Sequence, residues 1–223
     1  MLGEECRRRR GDKTARMNGR PPYDKSVFIN CPFDSRYRAI RDALLFAVYD
    51  CGFFPRCALE AQETVWRLPR IISLIRESRF AVHDLSRAGA DTKTGLARFN
   101  MPLELGIFLG AREFGGSEHK QKTFLVLDRG RYRYQKFISD LNAMDAKTHD
   151  NDPKKAIRIV RDWLQDVSRP GYLIPSGSVI VNRYASFRRE LPTLAHRLKL
   201  RVADLTYRDL CFLIQEWLQN TAP

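Results

Sequence analysis

The sequence predicts an α/β fold in which a mainly parallel sheet is flanked by helices. Short apolar runs suited to buried strands alternate with longer amphipathic stretches through most of the chain. Several runs end at Pro, Gly or Asp, and the C-terminal part shows only helical patterns. Alternation of strand and helix is typical of a parallel sheet with a helical layer on each face.

The N-terminal half of this pattern begins with an apolar strand. Residues 26–30 (SVFIN) are closed by Pro32, which cannot continue a strand within a sheet. Residues 36–49 keep apolar positions four apart and predict an amphipathic helix. We expect Gly52 to end that helix and residues 53–58 to form the second strand.

The same alternation continues to the middle of the chain. Residues 68–78 predict a second amphipathic helix, and the run at 80–84 predicts a third strand. A loop over residues 86–98 then leads to a strongly apolar helix at 100–112 and to a buried strand at 122–127. The series predicts a Rossmann-like or flavodoxin-like sandwich.

The C-terminal part changes character, because residues 153–167, 179–198 and 206–218 all predict helices. Such an extension would cover one edge of the sheet or build an oligomer interface. We therefore expect three regions: a basic flexible tail at 1–24, an α/β domain at 25–150 and a helical extension at 151–223.

The chain of 223 residues is 43% hydrophobic and 29% charged, which fits one globular domain with an extension. Its net charge of +13 is spread evenly, as +4 over residues 1–25, +4 over 26–150 and +5 over 151–223. The only dense cluster, Arg7 to Arg10, lies in the predicted tail. That tail would be solvated or would contact a nucleic acid or another polyanion.

Several classes of protein are disfavoured. No apolar run approaches the roughly 20 residues of a membrane span and no signal-peptide core follows the tail, so we expect a cytoplasmic protein without membrane contact. The five cysteines form no Cys-x-x-Cys pair, which predicts reduced thiols. Neither phosphate-binding glycine motif occurs, which disfavours a P-loop triphosphatase or a Rossmann dehydrogenase. Cys31 lies close to the candidate site, but no His lies beside it in the motif to activate it as a nucleophile.

Three polar residues mark a candidate site. In open α/β sheets, sites form beyond the carboxyl ends of the strands. Asn30 follows the first strand, Asp84 follows the third, and Glu104 lies near the start of the helix that begins at residue 100. Their convergence predicts a polar crevice.

Glu104 is the sharpest candidate because apolar residues surround it in the sequence. Asn100 is expected to cap the helix and Pro102 to fit its first turn, so that the helix dipole keeps the carboxylate ionised. Gly106 and Gly110 would let the helix approach the sheet closely. An ionised carboxylate there suits attack on a sugar anomeric carbon.

Structural roles remain open for the same residues. Glu104 would then cap backbone amides, while Asp84 and Asn30 would close turns. Arg36, Arg87 or Arg98 would meet a phosphate or stay solvated, and Phe33 or Tyr37 would stack on a base or pack in the core. The predicted substrate-binding set is Asn30, Phe33, Arg87, Arg98, Asn100 and Met101.

Three segments carry a family resemblance: residues 27–34 (VFINCPFD), 78–87 (SRFAVHDLSR) and 98–106 (RFNMPLELG). They resemble the nucleoside 2-deoxyribosyltransferase-like proteins, a Rossmann-like N-glycosidase group to which TIR-type NAD hydrolases are distantly similar. The resemblance covers about residues 26–128. Its most specific element is the Glu-Leu-Gly at the head of a helix, where the family's nucleophilic glutamate matches Glu104.

The resemblance implies cleavage of an N-glycosidic bond through a covalent sugar on Glu104, with Asp84 as the nearest match to the acid that assists the leaving base. Asn30 stands where the familiar transferases carry tyrosine or another small polar group. The implied substrates are a nucleoside, a nucleotide or NAD, by transfer or hydrolysis, without a metal or other cofactor. A homo-oligomer and a role in bacterial anti-phage defence are also implied.

Two other function classes are compatible with the sequence. The fold would serve as a non-catalytic nucleotide-binding sensor if Glu104 and Asp84 only bind a ligand. The basic charge would instead serve a polyanion-binding protein, whose binding depends steeply on salt.

Overall fold

The computed structural model describes residues 20–60, 66–89, 95, 97–131, 133–134, 138 and 145–221. Within them an all-parallel, five-stranded sheet is flanked by helices, and the part after residue 150 is helical. The predicted α/β class with a helical C-terminal part is therefore confirmed. Most of the tail predicted at 1–24 and part of the loop predicted at 86–98 lie outside the described residues.

The sheet has the strand order β2-β1-β3-β4-β5, which is the flavodoxin-like order. Its two central strands, β1 and β3, are buried along their whole length. The fifth strand was not predicted, because it is a two-residue edge strand of polar residues that carries no apolar run. The strand bounds are β1 (Ser26–Asn30), β2 (Phe54–Arg56), β3 (Phe80–Asp84), β4 (Thr123–Asp128) and β5 (Lys147–Thr148).

Every helix that the sequence predicts is present, with ends shifted by no more than two residues. A short helix, α4, was not predicted. Among the described residues, none of the helices has both the length and the apolar character needed to cross a membrane. The bounds are α1 (Arg38–Asp50), α2 (Arg67–Arg76), α3 (Asn100–Phe114), α4 (Ser117–Lys120), α5 (Pro153–Val167), α6 (Gly177–Arg197) and α7 (Tyr207–Asn220).

The C-terminal helices are part of the main core, not a cover for one sheet edge. α1 and α5 pack side by side, while α6 and α7 also pack against α1. The ring of Phe46 in α1 lies 5.3 Å from Tyr184, 5.4 Å from Phe187 and 5.8 Å from Trp217, measured between centroids. The sheet and these helices therefore bury α1 on nearly all sides.

The opposite face of the sheet carries α2 and α3. Alternate residues of β3 divide between the two faces, as the pleat of a strand requires. Val82 packs into the core with α1, whereas Ala81 packs with residues of α2 and α3. The alternation continues to the end of β3, where it decides which side chains reach the site.

The end of α1 confirms the predicted role of Gly52. Its backbone has a φ of 81°, and its N–H donates to Tyr49 while the N–H of Phe53 donates to Val48. This is the Schellman arrangement, which favours glycine at the left-handed position. The Tyr172 hydroxyl donates to the Cys51 carbonyl at 2.8 Å and occupies the space that a Cβ on Gly52 would need.

We expect Gly52→Ala to lower the free energy of unfolding by about 2–3 kcal/mol, through left-handed strain and displacement of Tyr172. Gly106→Ala is the matched control, because a Cβ there meets no atom within 4 Å. In the exposed interior of α3 it should stabilise by about 0.5–1 kcal/mol. Urea unfolding of both variants checks this, and equal effects would contradict it.

Candidate functional site

The site lies where the strand order reverses, between β1 and β3. Ligands of open α/β sheets bind in the crevice at this switch point, beyond the carboxyl ends of the strands. Asn30, the last residue of β1, is paired in register with His83 of β3. The first turns of α3 lie over this edge, since Asn30 contacts the main chain of Met101.

A cleft of about 170 Å³ opens at this edge. The structure brings six of the predicted site residues to it: Asn30, Phe33, Arg98, Asn100, Met101 and Glu104. The cleft is also lined by Cys31, Pro32, Asp34 and Arg67, whereas the predicted Asp84 and Arg87 are not among its lining residues.

The Asn30 amide joins three elements of the site. Its Nδ2 donates to the carbonyl of Met101 at 2.9 Å and contacts Nδ1 of His83 at 3.0 Å. Because a carbonyl oxygen can only accept, the amide nitrogen must face Met101, so His83 Nδ1 must accept the second N–H. Oδ1 of Asn30 receives no hydrogen bond from a described residue, which leaves an acceptor on the cleft wall.

His83 is a residue packed among aromatic rings. It is fully buried, and its ring centroid lies 5.3 Å from Phe108, 6.0 Å from Phe28 and 6.3 Å from Phe124. This burial lowers the pKa of His83 to about 3. The imidazole is therefore neutral at physiological pH, with its Nδ1 lone pair free to accept from Asn30.

Glu104 is a buried carboxyl group at the cleft. The residue is only 7% exposed, and no described residue donates a hydrogen bond to it or pairs with it within 4 Å. Burial raises its pKa to about 7, against a smaller lowering by the positive charge of Arg67. Near pH 7 the group therefore exchanges between acid and carboxylate, which is the range used by general acids, bases and nucleophiles.

Three expectations about α3 are wrong. Asn100 does not cap the helix, because it is the first helical residue and the preceding Phe99 makes no side-chain cap. The carboxyl of Glu104 is one turn further in, and burial outweighs any dipole that would keep it ionised. Gly106 and Gly110 do not serve a close approach to the sheet, since a Cβ at either position would meet no atom within 4 Å.

Asp84 lies on the other face of the sheet from Glu104. His83 faces α3, so the next residue of the strand points toward α1. There Asp84 is fully buried. Its carboxylate accepts hydrogen bonds from the Tyr37 hydroxyl at 2.5 Å and from the Ser86 N–H at 2.8 Å. The Nε2 of His149 lies 2.9 Å from the same carboxylate.

The predicted role of Asp84 as an acid for the leaving base does not fit this geometry. Burial alone would raise its pKa, but the hydrogen bonds from His149, Ser86 and Tyr37 outweigh burial and hold the pKa below its ordinary value. The group thus has no proton to give and no exposed surface to give it from. Asp84 instead joins the end of β3 to Tyr37, which precedes α1, and to His149, which follows β5.

Sequence reasoning missed His149 and the network that it completes. Its Nδ1 accepts from the N–H of Asn151 at 3.0 Å, so Nε2 carries the proton and faces both Asp84 and the hydroxyl of Ser86, the latter at 2.9 Å. The Nε2 of His149 therefore contacts both the Asp84 carboxylate and the Ser86 hydroxyl. This differs from a Ser-His-Asp triad, in which the two nitrogens are divided between Ser and Asp.

Arginines surround the mouth of the cleft. Arg87 and Arg98 lie 3.7 Å and 3.6 Å from the carboxylate of Asp34. Arg87 is therefore connected to the cleft by its ion pair with Asp34, which is a lining residue. Arg67, which the sequence gave no reason to select, lines the cleft with its guanidinium carbon 5.2 Å from the centre of the Phe33 ring.

The four cysteines that the structure describes are structural. Cys31, Cys51, Cys57 and Cys211 are free and buried, which agrees with the predicted reduced thiols. Cys31 lines the cleft, but burial raises its pKa well above the ordinary value, so it carries no thiolate for nucleophilic attack.

Comparison with known proteins gives no assignment: no family model, no curated protein and no solved structure matches the chain. Among the described residues, no group of three His, Cys, Asp or Glu side chains is arranged to hold a metal ion. Function must therefore be argued from the cleft itself.

We expect Asn30→Ala to lower the free energy of unfolding by about 2–3 kcal/mol, because it leaves the buried Nδ1 of His83 without a donor. Asn100→Ala removes an exposed amide from the same cleft and should change stability by less than about 0.5 kcal/mol. Denaturant unfolding measures both, and a negligible loss in Asn30→Ala would contradict the bridging role.

Glu104 should make stability depend on pH. Its pKa is raised in the folded state, so between pH 5 and pH 8 the folded protein loses a proton that the unfolded chain has largely lost already. Stability of the wild type must therefore fall relative to Glu104→Gln as pH rises, by about 2 kcal/mol over this window. Urea unfolding at pH 5 and pH 8 checks the difference.

The control is Glu113→Gln, which changes an exposed glutamate near the other end of the same helix. Its stability relative to wild type should stay constant between the two pH values. A constant difference for Glu104→Gln as well would show that the Glu104 carboxyl titrates normally.

Proposed function

We propose that the protein cleaves the N-glycosidic bond of a nucleoside, nucleotide or NAD, with Glu104 as the nucleophile. One observation carries the proposal: a buried carboxyl group, without a partner among the described residues, lines a cleft at the switch point of a flavodoxin-like sheet. A structural carboxylate at this burial would be satisfied by neighbouring donors, as Asp84 is. Glu104 instead keeps its lone pairs for a ligand.

In the first step, a carboxylate oxygen of Glu104 attacks C1′ of the sugar. The new bond is an ester between this oxygen and C1′, and the C1′–N bond breaks with its electron pair leaving on the base. In the second step, water releases the free sugar, or a second base accepts it. Glu104 regains its charge in either case.

The leaving base decides how much acid assistance the site must provide. Asp84 is ionised and buried, so it does not protonate a departing base. A base that leaves as a neutral molecule from a positively charged nitrogen, such as the nicotinamide of NAD, needs no proton. The arrangement of the described residues thus favours substrates with a cationic leaving group.

Two further wall residues suit a nucleoside substrate. Both amide N–H groups of Asn30 already donate hydrogen bonds, to Met101 and to His83. Its Oδ1 is therefore the atom that would accept a hydrogen bond from a sugar hydroxyl. Phe33 presents a half-buried ring at the cleft. Its face is shared with Arg67, so stacking on a base would use the opposite face or the ring edge.

The test is chromatography of nucleosides, nucleotides and NAD after incubation with wild type, Glu104→Gln and Glu113→Gln. We expect wild type and Glu113→Gln to release a base at equal rates, and Glu104→Gln to be slower by about 10³-fold or more. The wild-type rate should rise with pH through about 7, because the attacking form is the carboxylate.

Two results would refute the proposal. Release by Glu104→Gln at the wild-type rate would exclude Glu104 as the nucleophile. If no base is released but calorimetry shows binding and the ligand is recovered unchanged, the protein is a nucleotide-binding sensor on the same fold.

A further inference from the structure

The described residues around the cleft carry more positive than negative charge. Three arginines, Arg67, Arg87 and Arg98, face two carboxyl groups, those of Asp34 and Glu104. Asp34 neutralises part of this charge through its pairs with Arg87 and Arg98. Since Glu104 is also partly protonated near neutral pH, a positive excess remains for a ligand.

Of the three arginines around the cleft, Arg67 is the one without an ion pair to a described residue. No described carboxylate lies within 4 Å of its guanidinium, and no described residue forms a hydrogen bond with it. Its position is set by the Phe33 ring, over which the guanidinium carbon lies at 5.2 Å. A guanidinium that contacts a ring in this way keeps N–H groups available for the oxygens of an anion.

Two helices also begin at the cleft, and neither is capped by a side chain. α2, with ten residues, starts at Arg67, and α3, with fifteen, starts at Asn100. Trp66 and Phe99 hold the capping positions and make no side-chain cap. Each helix therefore presents unsatisfied N–H groups and the positive end of its dipole near the cleft, an environment that suits a phosphate.

The buried carboxyl of Glu104 feels the charge of Arg67, which only partly offsets the effect of burial on its pKa. It makes no ion pair with Arg67 within 4 Å, although both line the same cleft. An acid and an arginine that line the same cleft, each without an ion-pair partner among the described residues, are explained if a ligand lies between them, with its anionic group on Arg67 and its reactive carbon on Glu104.

We propose that Arg67 binds a phosphate of the substrate, so that the cleft takes a nucleotide rather than an unphosphorylated nucleoside. The phosphate is the 5′-phosphate of a mononucleotide or the pyrophosphate of NAD. The inference rests on the proposed function for the sugar and base, but the phosphate contact itself can be tested separately.

The experiment compares matched pairs of compounds: each common nucleoside with its 5′-monophosphate, and nicotinamide riboside with NAD. Base release is measured as kcat/KM for wild type, Arg67→Ala and Arg67→Lys at pH 9, where Glu104 is ionised even without the neighbouring arginine. Arg76→Ala is the matched control, since it removes an exposed arginine from the last turn of the same helix.

We expect the phosphorylated member of a pair to be preferred by at least about 10-fold in wild type. Arg67→Ala should lower its kcat/KM by about 10- to 100-fold and change that of the unphosphorylated partner by less than about 3-fold. Arg67→Lys keeps the charge without the planar fork and should fall between the two. Arg76→Ala should behave as wild type.

Two outcomes would overturn the phosphate contact while leaving the glycosidase function intact. One is an equal kcat/KM of wild type for both members of every pair, and the other is an equal loss of kcat/KM for both members in Arg67→Ala. If wild type releases no base, calorimetry with the same pairs decides. Binding of the phosphorylated member that Arg67→Ala abolishes would support the contact and refute the glycosidase function. The absence of binding by any nucleotide would overturn the inference.

Discussion

The cleft depends on one buried amide, that of Asn30. This side chain joins the end of β1 to His83 in β3 and to the first turn of α3 through Met101. The bridge exists only while His83 is neutral, because a protonated Nδ1 would point a second donor at the amide. The aromatic rings around His83 lower its pKa to about 3 and so preserve the acceptor. Core packing thereby fixes the position of α3 and of Glu104 upon it.

Asp84 and Glu104 show how the same edge of a sheet gives two carboxyl groups opposite properties. Both are buried, yet Asp84 receives hydrogen bonds from three groups and has a lowered pKa, whereas Glu104 receives none from described residues and has a pKa of about 7. Burial penalises the charge of each, and only donors can offset that penalty. The pair therefore separates into a structural anion and a titrating group, which is the usual basis for assigning roles to paired carboxylates.

The sequence predicts the fold better than the site, and the reason is physical. The continuous apolar runs of β1 and β3 and the spacing of the helices report burial, which is a local pattern. The alternation of side chains along β3 is also a local pattern, because adjacent residues of a strand face opposite sides of the sheet. His83, the register partner of Asn30, faces α3, so Asp84 faces the other side. In contrast, β5, the contact of His149 with Asp84 and the stacking of Arg67 on Phe33 join segments far apart in the chain, and no local pattern reports them.

The two faces of the sheet differ in how far their polar groups are satisfied by the protein. On the α1 side, Tyr37 before α1, Asp84 in β3 and His149 before α5 lock three segments together, and α6 and α7 bury α1 behind them. On the α3 side, the carboxyl of Glu104 meets no donor from the part of the chain that the structure describes, and α2 and α3 begin without side-chain caps. Polar groups on the first face satisfy one another, so they stabilise the fold. The Glu104 carboxyl on the second face has no donor among the described residues, so ligand binding is expected to supply its partners and to leave the first face unchanged.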